Sequence, residues 1–380
     1  MNKNKLFLAS CMALVVTAMA FGLRASMLNQ WQVDFGLTVA ELGWISGTAF
    51  WGFTLAMIFG GPLCDIIGMK RIVYIAFFGH LLGTILTIFS SGFWSLFVST
   101  LLIGIGNGMV EAACNPLIAT IYSEQKTKML NRFHVWFPGG IVIGGLIGYF
   151  LSNMGVNWQI QLIAMLIPTL VYGYLFLKQT FPQTERVTSG VSTSDMFKAC
   201  ATPLFIFMVF CMLITASTEL GTGQLIGKLL ENTGVAPILV LVYINGLMML
   251  GRSNAGVFVH SLSPTGMLLF SAIFSTLGLI GLSYASGLFF TFGAATVFAI
   301  GICFFWPTMI GYIAENCAKT GALGMSIIGG AGMLSVSLVL PILGANLDMF
   351  AGEVVLRYYA LLPLVLIFAF GTLLYFTRKK

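Results

Sequence analysis

Apolar residues in this chain fall into blocks of about twenty, the length a helix needs to cross a hydrocarbon layer. The blocks predict helices at approximately 6–28, 42–63, 72–91, 94–121, 133–152, 158–177, 203–224, 236–259, 266–285, 288–313, 322–345 and 356–377. Most polar connections between them are very short, so neighbouring helices should run antiparallel. One connection differs. Residues 178–202 are polar and include Pro182, Thr184, Glu185, Arg186, Ser189, Ser192, Ser194 and Asp195. The pattern predicts an N-terminal six-helix bundle at 1–178, a linker at 179–202 and a C-terminal six-helix bundle at 203–380.

Composition sharpens this into a statement about solvent. Of the 380 residues, 58% are hydrophobic and 8% are charged. Soluble domains carry about 25% charged residues, so water cannot be the solvent for most of this exterior. The chain reads as an all-α membrane protein. Its seven cysteines form no C-x-x-C pair, which argues against a disulfide framework or a zinc site. No P-loop, H-E-x-x-H or G-x-S-x-G constellation is present, and neither an enzyme nor a cofactor is expected.

The net charge of +6 reports topology. With the N-terminus inside, Lys228 and Arg357 alone among the basic loop residues fall outside, as the positive-inside rule requires. Both termini and the linker are therefore expected in the cytoplasm, with the chain in the cytoplasmic (inner) membrane. The charge calls for no nucleic-acid partner. Lys3 and Lys5 before an apolar run imitate a signal peptide, but the run continues to about residue 28 and is expected to stay as the first span.

The costly residues are the informative ones. Arg24, Glu111, Glu219 and Arg252 lie inside spans. Each costs about 2.5–3.5 kcal/mol at a helix centre facing lipid, so all four should face the interior, pair or be neutralised. Gly104, Asn107, Gly108, Glu111 and Asn115 share one helical stripe, small and polar, suited to lining a wet cavity. Asn245 lies seven residues before Arg252. Trp136 and Trp306 stand where a sugar could stack. Fixed ion pairs, Arg24 with Glu111 or Arg252 with a carboxylate, are an equally physical use of these charges. His80 and His260 read as structural.

Two motifs carry a resemblance. Gly61-Pro62-Leu63-Cys64-Asp65-Ile66-Ile67-Gly68-Met69-Lys70-Arg71 resembles the G-x-L-x-D-x-x-G-x-K/R loop of the major facilitator superfamily. Gly104-x-Gly106-x-Gly108-x-x-Glu111-x-x-x-Asn115-Pro116, with Leu130-Asn131-x-x-His134 and Glu219-x-x-x-Gly223, resembles the fucose:proton symporter family. A weak internal repeat agrees: Gly61 and Gly256, and Arg24 and Glu219, are separated by the same number of positions.

The resemblance implies the major facilitator fold, twelve transmembrane helices in two pseudo-symmetric six-helix bundles. It implies a monomeric secondary transporter that moves a sugar or sugar-derived small molecule by alternating access, coupled to a proton. Arg24, Glu111, Asn115, Trp136, Glu219, Asn245 and Trp306 are the expected substrate and coupling-ion residues. Asp65, Lys70, Arg71, His134 and Arg252 are the expected gating residues. The fucose symporter carries an acidic residue in its first span where this chain has Arg24. That departure opens import of an anionic sugar acid as an alternative, beside export of a drug-like or amphipathic metabolite.

Overall fold

The computed structural model describes residues 2–378 apart from 191 and 236, with the side chains at 25, 29, 39, 40, 193, 258–260 and 378 outside the description. His260, Lys379 and Lys380 therefore lie outside the described residues. Every regular element among those described is helical.

The first helix, α1 (Lys3–Phe35), is longer than predicted. At 1.5 Å per residue it spans about 50 Å, well beyond a bilayer's hydrocarbon core. It stops at Gly36, whose φ of 63° lets its amide turn back onto the Gln32 carbonyl. Thr38 and Glu41 form a capping box that starts α2 (Val39–Ile67). The motif loop then shrinks to Gly68, at φ 86°, before α3 (Met69–Ile88). Next come α4 (Phe93–Ile121), α5 (Lys126–Phe133), α6 (Trp136–Asn153) and α7 (Trp158–Leu177). The predicted linker holds two short helices, α8 (Glu185–Thr188) and α9 (Thr193–Cys200).

The seventh predicted span is α10 (Pro203–Ala216), a π-helical turn (Ser217–Gly221) and α11 (Thr222–Gln224). After α12 (Ile226–Leu229) comes α13 (Pro237–Ser253), then α14 (Ala255–Tyr284). The last third contains α15 (Gly287–Ile302), α16 (Phe305–Asn316), α17 (Gly321–Met349), α18 (Gly352–Tyr359) and α19 (Leu361–Arg378). Eleven of the predicted spans appear as stretches long and apolar enough to cross a membrane. The twelfth, predicted at 236–259, is the 17-residue α13.

Prolines explain most interruptions. Ser263 breaks α14 at φ 61°, immediately before Pro264. A residue preceding proline is pushed out of the helical region, and Ser263 Oγ accepts from the Gly266 amide to start the next stretch. Pro116 leaves the Ala112 carbonyl without an amide partner, and the Cys64 thiol donates to it at 3.3 Å.

The chain packs as two compact units. The first comprises Met1–Lys126, Trp136–Cys200 and Cys317–Gly330; the second comprises Thr127–Val135, Ala201–Asn316 and Ala331–Lys380. Within the first, glycines let backbones nearly touch. A Cβ at Gly108 of α4 would sit 2.5 Å from the Phe53 carbonyl of α2, and one at Gly144 of α6 would sit 2.8 Å from the Met19 carbonyl of α1. In lipid, where apolar contact between helices gains little, such close packing supplies the cohesion.

Candidate functional site

Arg24 lies on α1 and is 8% exposed. Its guanidinium stands 5.1 Å from the centre of the Phe21 ring. It has no ion pair or hydrogen bond among the described residues, where the buried pairs are Asp65 with Arg186 and Glu219 with Arg252. The pairing with Glu111 that the sequence allows does not form. Arg24 borders a cavity of about 20 Å³ that Met27, Trp31, Thr87, Thr100 and Met165 also line. Trp31 is seven residues further along α1, on the same face. Its indole N–H is buried and without an acceptor. Two residues with unmet donors, one of them cationic, thus line the same hollow. An isolated charge costs several kcal/mol to bury, and an anion is the ligand that would repay it.

Glu111 is 1% exposed and accepts from Asn115 Nδ2 at 2.6 Å. Part of its helical stripe serves packing. Gly104 and Gly108 meet α2. Asn107 accepts at Oδ1 from His80 Nε2 at 2.9 Å, while Tyr172 meets His80 Nδ1 at 3.0 Å. Small residues in a membrane helix serve close approach as readily as they serve water, and periodicity cannot tell the two apart.

In the second unit Glu219 sits in the π-helical turn, and Arg252 Nη2 donates to its Oε1 at 2.9 Å. Arg252 is 1% exposed. Its Nη1 donates to the His134 carbonyl at 3.1 Å and its Nε to the Cys303 carbonyl at 2.6 Å. Glu219 Oε2 is buried without a partner. Glu219, Arg252 and His134 therefore form one cluster. Nearby, Thr127 donates its amide and hydroxyl to Glu315 Oε1 at 2.9 and 2.6 Å, which caps the start of α5.

The motif loop grips the linker. Arg186 Nε donates to Asp65 Oδ2 at 2.8 Å, and Thr184 donates its hydroxyl to Asp65 Oδ1. Lys126 Nζ meets Glu185 Oε2 at 2.6 Å. Lys70 Nζ donates to the Gln179 carbonyl at 3.0 Å. Arg71 is exposed.

The profile of the Major Facilitator Superfamily matches residues 8–295. The chain belongs to the Major Facilitator Superfamily. It is therefore an integral, multi-pass membrane protein and a secondary transporter of a small molecule, not an enzyme. Its fold is that of known superfamily members. The fucose:proton symporter FucP in its outward conformation superposes with TM-score 0.79 at 18% identity, over 97% of this chain and 98% of that one. The proton:xylose symporter XylE gives 0.82 at 12% identity, over 96% and 94%. At these identities the likeness is one of fold. Curated relatives align over shorter stretches. The cis,cis-muconate transport protein of Acinetobacter baylyi is 28% identical over 43% of this chain and 40% of its own length. The D-galactonate transporter of Escherichia coli is 23% identical over 43% and 38%.

The remaining expected site residues of this superfamily member each have their own surroundings. Trp136 opens α6 and is 39% exposed. Trp306 is buried against Gly332 of α17, where a Cβ would sit 2.6 Å from the ring. Asn245 donates back to the Leu241 carbonyl of its own helix at 2.9 Å. Sequence reasoning missed Trp31, Thr184 and the two carbonyls that Arg252 holds. The carbonyls had a readable signal. Each lies four residues before a proline, Pro138 or Pro307. Trp31 had none, because only the fold places its indole beside Arg24.

Proposed function

We propose that this chain imports a small organic anion, a sugar acid or a related carboxylate, by alternating access coupled to protons. The observation that carries this reading is Arg24, a buried cation without a counter-charge among the described residues, beside the unmet Trp31 donor. A substrate carboxylate would supply the missing acceptor. The cavity at Arg24 is too small for a whole sugar, and we assign it to the carboxylate end of such a substrate. Relatives named for muconate and galactonate, both carboxylates, support the same chemistry. A neutral sugar, which the resemblance to fucose symporters favours, would leave Arg24 unpaired.

The working parts are the two halves, 1–178 and 203–380, joined by the linker at 179–202. Buried carboxylates at Glu111 and Glu219 offer places for a coupling proton. Asp65, gripping the linker through Thr184 and Arg186, acts as a latch. The distribution of lysine and arginine supports an orientation with both termini on the cytoplasmic side of the inner membrane.

Uptake into proteoliposomes tests this. Sugar acids and dicarboxylates should be accumulated when the outside is acid, and their neutral sugar counterparts should not. Arg24→Gln should reduce anion uptake by about 10–100-fold, the value of a charge-assisted hydrogen bond in a buried site. Accumulation of neutral sugars in preference to acids, or anion uptake indifferent to Arg24, would sink the reading.

A further inference from the structure

Arg252 is held by three acceptors, and two of them share a peculiarity. The carbonyls of His134 and Cys303 each stand four residues before a proline, Pro138 and Pro307. In a continuous helix each would accept from the amide of that fourth residue, and proline has none. The helices part at these places: α5 ends at Phe133 and α6 begins at Trp136, while α15 ends at Ile302 and α16 begins at Phe305. A bare carbonyl within a bilayer costs several kcal/mol. One guanidinium satisfies both.

Glu219 is placed to keep that guanidinium in position. The π-helical turn carrying it is braced by Tyr359, whose hydroxyl donates to the Ser217 carbonyl at 2.7 Å. A side chain at position 221 would collide with the same hydroxyl, so Gly221 is required there. Among the described residues, Arg252 on α13 and the thiol of Cys303 lie beside Glu219, the ring of His134 lies near Arg252, and the phenol of Tyr359 meets the turn that carries Glu219. Arg252 alone among them pairs with its carboxylate, through Oε1. Oε2 is buried and free.

We infer that Glu219 Oε2 is a proton-binding site and that Arg252 is its positioning residue, a clamp on two proline breaks governed by that proton. This rests on the reading of the chain as a proton-coupled transporter and names where one proton goes. A proton from the aqueous side adds to Oε2 as an O–H bond of hydronium breaks and leaves water, and no other covalent bond changes. The carboxylate goes from −1 to neutral, and the pair from neutral to +1. The guanidinium then has no counter-charge to hold it between the carbonyls of His134 and Cys303, and both breaks are released together. His134 lies one residue before the chain passes from the second unit to the first.

The test uses full-length protein in detergent or lipid and needs no substrate. Infrared difference spectra across an acid titration should show a carboxylic-acid C=O band that Glu219→Gln removes. A His134 imidazolium would give no such band, so the two acceptors are separable. Over the same titration, amide exchange corrected for its intrinsic pH dependence should rise about tenfold at residues 134–137 and 303–306. In Glu219→Gln, exchange at both breaks should stay fast and independent of pH. Should that variant fail to fold, Glu219→Asp should shift the midpoint of both signals together. A band that persists in Glu219→Gln, or breaks whose exchange ignores pH or residue 219, would overturn the proposal. Those results would leave Arg24-dependent anion uptake untouched, and failure of anion uptake would leave these spectra untouched.

Discussion

The two buried arginines answer the same physical problem in opposite ways. Arg252 is enclosed by a carboxylate and two carbonyls that prolines have stripped of their amides. Arg24, almost as deeply buried, has an aromatic face and a small hollow. Both must be paid for in a membrane, because hydrocarbon offers a charge nothing. Arg252 is satisfied from within the protein and so holds structure. Arg24 meets no counter-charge among the described residues, which is the ground on which an anion is proposed there. Burial alone does not separate these roles; the list of partners does.

The largest expected effect lies on the satisfied side. Arg252→Met should lower stability by about 3–5 kcal/mol, because it strands a buried Glu219 and exposes two bare carbonyls. A thermal melt in detergent measures it, and Arg24→Met should leave the same melt unchanged or raise it. Equal losses from both substitutions would break the comparison.

A smaller effect is expected from ligand. A bound sugar acid at one hundred times its Kd should stabilise the wild type by about 2.7 kcal/mol. It should give no shift in Arg24→Met and an undiminished increment in a double variant, Glu219→Gln with Arg252→Met. Ligand stabilisation that survives loss of Arg24 would remove the first half of the contrast.

The latch should matter less to stability than either. Asp65→Asn weakens one ion pair, side-chain exposure 2% for Asp65 and 11% for Arg186, and loses about 1–2 kcal/mol. Limited proteolysis within residues 184–195 should accelerate accordingly. An unchanged cleavage rate would show that Lys126 and Glu185 hold the linker without it.

The smallest effect is electrostatic and exposed. Asp195 sits below the usual aspartate range, first because Ser192 donates to it and then because Lys198 lies close. A depressed carboxylate contributes above its unfolded value, near pH 4, and loses that contribution as pH falls through its folded value. Linker proteolysis should therefore rise slightly below about pH 4 and lose that step in Asp195→Asn. A step of the same size in the variant would assign it to other groups.

The helical architecture was legible because lipid imposes a simple rule on apolar run length. Every predicted span has its helix, but some ends were misjudged: a glycine cap extends the first to Phe35, and the span predicted at 236–259 already stops at Ser253. The motif loop was legible down to Asp65, yet its partners Thr184 and Arg186 were not, since a linker's docking depends on contacts far away in the chain. The stripe on α4 was legible as small and polar, but its use was not. Gly104 and Gly108 fit a wet face and a packed face equally well until α2 is in place. The four intramembrane charges were each picked out, but their pairing was not.

By itself, the sequence determined that this chain crosses a membrane many times, which loops carry the positive charge, and which few ionisable residues had to be accounted for. Those conclusions follow from composition and spacing, because each concerns one segment and its solvent. Only the tertiary structure decided that Arg252 closes on Glu219 and two proline-orphaned carbonyls while Arg24 closes on none. The reason is that a counter-charge is a long-range contact. Its presence or absence is set by how helices pack, and no local pattern along the chain records it.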